Sequence, residues 1–62
     1  MIFEFVSRDS ASRFAGVVEF AAGLVCRVEG CVVIIDVLRN FRGYPVSREW
    51  LSAQAATQNA LI

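Results

Sequence analysis

Cys31-Val32-Val33-Ile34-Ile35-Asp36-Val37-Leu38 is the stretch on which the fold turns. Seven of its eight residues are apolar, five are β-branched, and Asp36 is its one charge. A run of this length and type predicts a strand buried on both faces. The rest of a 62-residue chain then has to cover it.

Working outward, Glu29-Gly30 reads as a tight hairpin turn, with the glycine supplying a positive φ. Residues 24–29 form the strand before it. A two-residue turn there pairs Val28 with Cys31 and Cys26 with Val33. One face of the hairpin then carries Cys26, Val28, Cys31, Val33, Ile35 and Val37, and this is the core face. The other carries Val25, Arg27, Val32, Ile34, Asp36 and Leu38, which is mixed yet still apolar for open water.

Upstream, residues 2–6 alternate, with Phe3 and Phe5 on one face and Ile2, Glu4 and Val6 on the other. Ser7-Arg8-Asp9-Ser10 is a helix-start signal in which Asp9 or Ser10 can accept the first free backbone N–H groups. A helix over 10–22 follows, with Phe14, Val17, Val18, Ala21 and Val25 at helical spacing. Ala15, Gly16, Ala22 and Gly23 keep the rest of its surface small, and Phe20 lies off its apolar stripe. Gly23 is its C-terminal cap.

Downstream, residues 39–46 hold Asn, Gly and Pro and read as a loop. Ser47 caps a last helix over 48–61, with Glu49 suited to the dipole of its first turn. Its apolar contacts are Trp50, Leu51, Ala55, Leu61 and Ile62, and its polar, solvated face is Gln54, Thr57, Gln58 and Asn59. The order is β-α-β-β-α, a single small α+β domain over 1–62 with a three-stranded, mainly antiparallel sheet and two helices. The first helix covers one face of the sheet. The second covers the other face or swaps onto another subunit.

Composition points to association. Hydrophobic residues make up 56% of the chain and charged residues 19%, against about 45–50% and about 25% in ordinary domains. A chain this short buries only about 60% of its unfolded surface. A surplus of apolar surface therefore predicts a homodimer or docking on a larger protein. A membrane span over 14–38 is excluded by Glu19, Arg27, Glu29 and Asp36, each costing about 2.5–3.5 kcal/mol near a helix centre. The opening Met1-Ile2-Phe3-Glu4 runs straight into strand-like alternation, so no signal peptide is expected. The expectation is a cytoplasmic protein with reduced thiols.

Candidate chemistry is sparse. There is no histidine and all six basic residues are arginine, so no metal site and no cofactor are expected. Cys26 and Cys31 flank the hairpin as small core residues; a reactive thiol would need a nearby cation such as Arg27. Asp36 and Glu4 could form a carboxylate pair, but without other polar company Asp36 reads as an ion-pair partner of Arg27, Arg39 or Arg8. Asp9, Ser10 and Ser12 could face an anion at a helix start, yet Asp9 would repel it. No catalytic residue is assigned and the protein is not expected to be an enzyme.

One cluster stands out. Arg39, Phe41, Arg42, Tyr44, Arg48 and Trp50 interleave three cations with three aromatics in twelve residues. Residues 39–62 carry a net charge of +2 (three Arg, one Glu), and residues 1–38 carry −2 (three Arg, five acids). Trp, Tyr and Arg are the residue types enriched in binding hot spots. The cluster is assigned to partner binding by a small non-enzymatic regulator or inhibitor, of the kind a mobile element or phage encodes to block a host protein. The alternative is a small nucleic-acid-binding module using segment 39–50. Zero net charge weakens that alternative.

Overall fold

A computed structural model of the chain describes residues 1–60. Strand β1 (Ile2–Glu4) leads into helix α1 (Arg8–Val17), which continues as one π-helical turn, Val18–Ala22. A hairpin of β2 (Arg27–Glu29) and β3 (Val32–Ile34) follows, and α2 (Arg48–Ala60) ends the described chain. The sheet is antiparallel throughout, in the order β1-β3-β2. The apolar stretch therefore supplies the central strand of a small α+β fold.

That strand is shorter than its sequence suggests, and only one of its faces is covered. Val33 and Ile35 are fully buried, whereas Val32 and Ile34 on the opposite face are half-exposed. The β1 ladder ends where Met1 and Ile35 exchange backbone hydrogen bonds. Past that point no neighbouring strand enforces alternation, so Val37 turns out to solvent and Leu38 packs on the core, the reverse of the expected sides.

The hairpin turn is Gly30-Cys31, not Glu29-Gly30. Pairing runs Arg27 with Ile34, Val28 with Val33 and Glu29 with Val32. Gly30 has φ +64° and no non-glycine among the described residues has a positive φ. A positive φ at the first central position alone is the arrangement of a type II′ turn. Placing Gly30 second, as a type I′ turn, would have forced Glu29 into the left-handed region. The pairing is offset by two residues from the expected one, an even number, so every side chain keeps its face.

Helix α1 starts at Arg8, two residues earlier than the expected Ser10. Ser7, extended at φ −151° and ψ 163°, is the N-cap, and its Oγ accepts from the Ser10 N–H at 3.1 Å. Asp9 sits in the first turn, where the helix dipole favours it. Phe14 and Val18 point to the core, as the spacing predicts; Ala11 joins them, and Val17 is only half-buried. The wider π turn then breaks the extrapolation. Ala22 and Leu24 reach the core, whereas Ala21 and Val25 face solvent. Gly23, at φ +68°, closes the helix, and the Leu24 N–H donates to the Val18 carbonyl.

Both helices lie on the same face of the sheet. Leu51 and Ala55 of α2 join Phe14, Val18, Phe5, Val33 and Ile35 in one cluster. Phe14 is its centre, with the Phe3 and Phe5 ring centroids each 5.0 Å from its own. The second helix neither covers the opposite face nor leaves the monomer, because α1 alone cannot cover a three-stranded surface flanked by Phe3 and Phe5. A polar seam fixes the pair: the Ser10 Oγ donates to the Gln58 carbonyl at 3.2 Å and the Arg13 Nε donates to the Gln58 Oε1 at 3.2 Å. Asn59 accepts from the Val6 N–H at 3.1 Å. Gln58 is thus buried rather than solvated. Leu61 and Ile62 lie outside the described residues.

Candidate functional site

The arginine–aromatic segment is not a slack loop. Its ends are tied where the Val46 N–H donates to the Leu38 carbonyl at 2.9 Å and Arg39 bridges to Pro45. Asn40 organises the middle. Its N–H donates to the Tyr44 carbonyl and its carbonyl accepts from the Gly43 N–H, both at 2.9 Å. Its Oδ1 accepts from the Arg42 N–H at 2.9 Å and the Tyr44 N–H at 3.0 Å. Asn is suited to this role because a short side-chain carbonyl imitates a backbone turn. Gly43, at φ +85°, lets the chain reverse.

The turn holds aromatic rings in solvent. Phe41 is 81% exposed and Tyr44 64% exposed. The Phe41 ring edge rests on Gly23, where a Cβ would come within 2.9 Å of it. The Arg42 guanidinium lies over the other part of that ring, 5.6 Å from its centroid. Arg39 donates from Nη1 to the Gly43 carbonyl at 2.9 Å, so this arginine braces the turn. Beside it lies an open groove of about 520 Å³ lined by Asp36, Val37, Leu38, Arg39, Pro45, Val46 and Arg48. Its floor is aliphatic and its rim carries two arginines and one aspartate.

Of the six residues assigned to partner binding, five lie at this surface: Arg39, Phe41, Arg42, Tyr44 and Arg48. Trp50 is different. It is half-buried and packs against the core from the first turn of α2, where its N–H donates to the Ser47 Oγ at 3.2 Å. Its indole serves the fold more than the surface. Val37, Leu38, Pro45 and Val46 were not marked by the sequence, because Val37 and Leu38 read as part of the buried strand and Pro45 and Val46 as plain loop. Asn40 carried a signal, its place at the start of a Gly- and Pro-containing turn.

The other clusters have ordinary roles. Asp36 pairs with Arg27 at 3.8 Å, both side chains well exposed. Glu4 shares the face of Asp36 but is separated from it by the row Ile2–Ile34–Arg27. Both cysteines are free. The Cys26 thiol reaches the Glu19 carboxylate at 3.5 Å. Burial, and then the Glu19 hydrogen bond and charge, push its pKa up to about 11. That is the opposite of what a nucleophilic thiol needs. Among the described residues no group of His, Cys, Asp and Glu is placed to hold a metal ion, and no helix is long and apolar enough to cross a membrane. Comparison with family models, curated proteins and solved structures gave no match.

Proposed function

We propose that the protein is a small non-enzymatic interaction module, a regulator or inhibitor, that docks on a larger protein through the turn 39–46 and the adjoining groove. The observation that carries this reading is Phe41 and Tyr44 held in solvent on a turn whose Asn40 alone makes four hydrogen bonds. A rigid turn loses little entropy on binding, and exposed aromatics beside arginines are the residue types that dominate interface energies. The groove suits a partner segment that offers an apolar side chain to Val37, Leu38 and Val46 and an acid to Arg48.

The nucleic-acid alternative is less well supported by the same geometry. Stacking on successive bases needs free ring faces, and the Arg42 guanidinium lies over Phe41, which leaves Tyr44 as the open ring of the turn. Arg39 is engaged by Gly43, which leaves Arg42 and Arg48 to meet phosphates. Two experiments separate the readings. Titration with single- and double-stranded oligonucleotides at low and high salt is expected to show no binding; an affinity that collapses with added salt would establish the nucleic-acid reading. Capture from a lysate of the source organism is then compared between the native chain and Phe41→Ser/Tyr44→Ser. The proposal requires a protein retained by the first and lost by the second, with unchanged circular dichroism. Retention by both overturns it.

A further inference from the structure

The uncovered face of the sheet carries a pattern. Across the strands, one row reads Ile2–Ile34–Arg27 and the next Glu4–Val32–Glu29. Ile2 is 68% exposed, and Val32 and Ile34 are half-exposed, although all three are aliphatic. Both helices pack on the other side of the sheet, so neither lies over them.

We propose that a second copy of this chain packs its own uncovered face here, about a two-fold axis that runs across the strands between these two rows. This deepens the interaction reading above by naming one partner, and it rests on a surface carried by different elements from the turn 39–46. Face-to-face sheets pack with strands nearly aligned, so the in-plane two-fold axis runs either across the strands or along them. An axis across the strands keeps each column and exchanges the rows. Ile34 then lies over the partner's Val32, and Arg27 lies over the partner's Glu29, each contact occurring twice. An axis along the strands keeps the rows and exchanges the columns. Glu4 would then face the partner's Glu29 twice, an unfavourable like-charge contact, in place of the two Arg27–Glu29 contacts. Charge therefore selects the first axis. In it Glu4 faces the partner's Ile2 at the rim, where water screens it.

The face is small. Three strands spaced at about 4.8 Å and two side-chain rows about 6.7 Å apart give a plane of roughly 14 by 13 Å. This falls short of the ~800 Å² per partner of a standard interface. The dimer expected is weak, dissociating in the micromolar range, with a polar frame that prevents open-ended stacking.

Sedimentation equilibrium of the full chain across the micromolar range tests this. The native chain is expected to show a monomer–dimer equilibrium. Arg27→Glu and Glu29→Arg each place like charges over one another twice, so each is expected to raise the dimer Kd by about tenfold or more. The double exchange Arg27→Glu/Glu29→Arg restores the pairs with reversed sign and is expected to return to within about threefold of native. Arg27 and Glu29 are both exposed and the Arg27–Asp36 pair is a surface one, so the folds of these variants are checked by circular dichroism with no change expected. A monomer at every concentration overturns the proposal. So does a dimer indifferent to the single reversals, or a double exchange as weak as the singles. A dimer lost in Phe41→Ser/Tyr44→Ser, but kept in the charge variants, assigns self-association to the turn instead and overturns the sheet-face assignment.

Discussion

Replacing Asn40 by alanine isolates what holds the binding turn in shape. The Oδ1 accepts from the Arg42 and Tyr44 N–H groups at 2.9 and 3.0 Å. A typical hydrogen bond contributes about 0.5–1.5 kcal/mol net, so the pair contributes about 1–3 kcal/mol to keeping the turn closed. Water can reach both amides in the variant, which rules out a larger penalty for buried, unpaired groups. Because 1.4 kcal/mol is a factor of ten, native-state amide exchange at Tyr44 should quicken by about fivefold to 150-fold. Asn40→Asp keeps an acceptor at the same place and should stay close to native. Amides of the core strand, such as Val33, should be unaffected, because the turn opens without unfolding the domain. The same opening would weaken a partner's apparent affinity by the fraction of chains still closed. Equal Tyr44 protection in the native chain and in Asn40→Ala would show that the end contacts at Leu38–Val46 alone hold the turn, and would refute the role given to Asn40.

Other substitutions probe the scaffold. Phe14→Ala removes a fully buried ring flanked by two others; it should cost about 3–5 kcal/mol, against a total of about 3–9 kcal/mol for a domain this size, so urea denaturation should begin almost without a native baseline. Gly16 faces open space on an ordinary helical turn, so Gly16→Ala should raise stability by about 0.5–1 kcal/mol in the same assay. Gly23→Ala should lower it by about 1–2 kcal/mol, since φ +68° is left-handed, and should also displace the Phe41 ring, visible as a shift of its aromatic NMR resonances. The Cys26 pKa is raised by folding to about 11; the native state holds that proton more tightly than the unfolded chain, so its contribution is intact below pH 9 and is lost as pH climbs toward 11. Urea midpoints measured across that interval should fall more for the native chain than for Cys26→Ala.

The order of elements was legible because each rested on a local cause. Ser47 and Gly23 cap helices by properties visible in one or two residues, and Phe3, Phe5, Phe14 and Val33 share a core through simple periodicity. What sequence could not give depended on choices between near-equal alternatives. A π turn at Val18–Ala22 widens the helix by less than one residue, yet it exchanges Ala21 and Val25 for Ala22 and Leu24. The hairpin offset turned on whether Gly30 comes first or second in the turn, which decides whether Glu29 needs a positive φ. Gln58 looked solvated because helical spacing marks polar residues as outward, and only the approach of Ser10 and Arg13 from α1 makes a buried position tolerable for it. In the candidate site the exposed rings were identified by residue type and Asn40 carried a turn signal, while the aliphatic floor depends on how the chain folds back between Leu38 and Val46.

The apolar surplus of the chain is best understood from where it ends up. Scattered exposed hydrophobic side chains are normal, and Phe20, at 96% exposed on the π turn, is one of these so far as any neighbour is concerned. Ile2, Val32 and Ile34 are different because the sheet fixes them side by side on one plane. A two-layer fold always leaves one sheet face uncovered, and most antiparallel sheets make that face polar. Here the β-branched residues that build the central strand are apolar at both parities, so the strand that nucleates the core also presents half of itself to the outside. The charges placed around it, Glu4, Glu29, Arg27 and Asp36, limit which surfaces can approach, since any partner must offer complementary charge at those corners. Selectivity on this face therefore comes from the charged frame, and attraction from the aliphatic centre. Conversion of Ile34 to threonine should reduce binding to whatever occupies the face while leaving its charge selectivity unchanged.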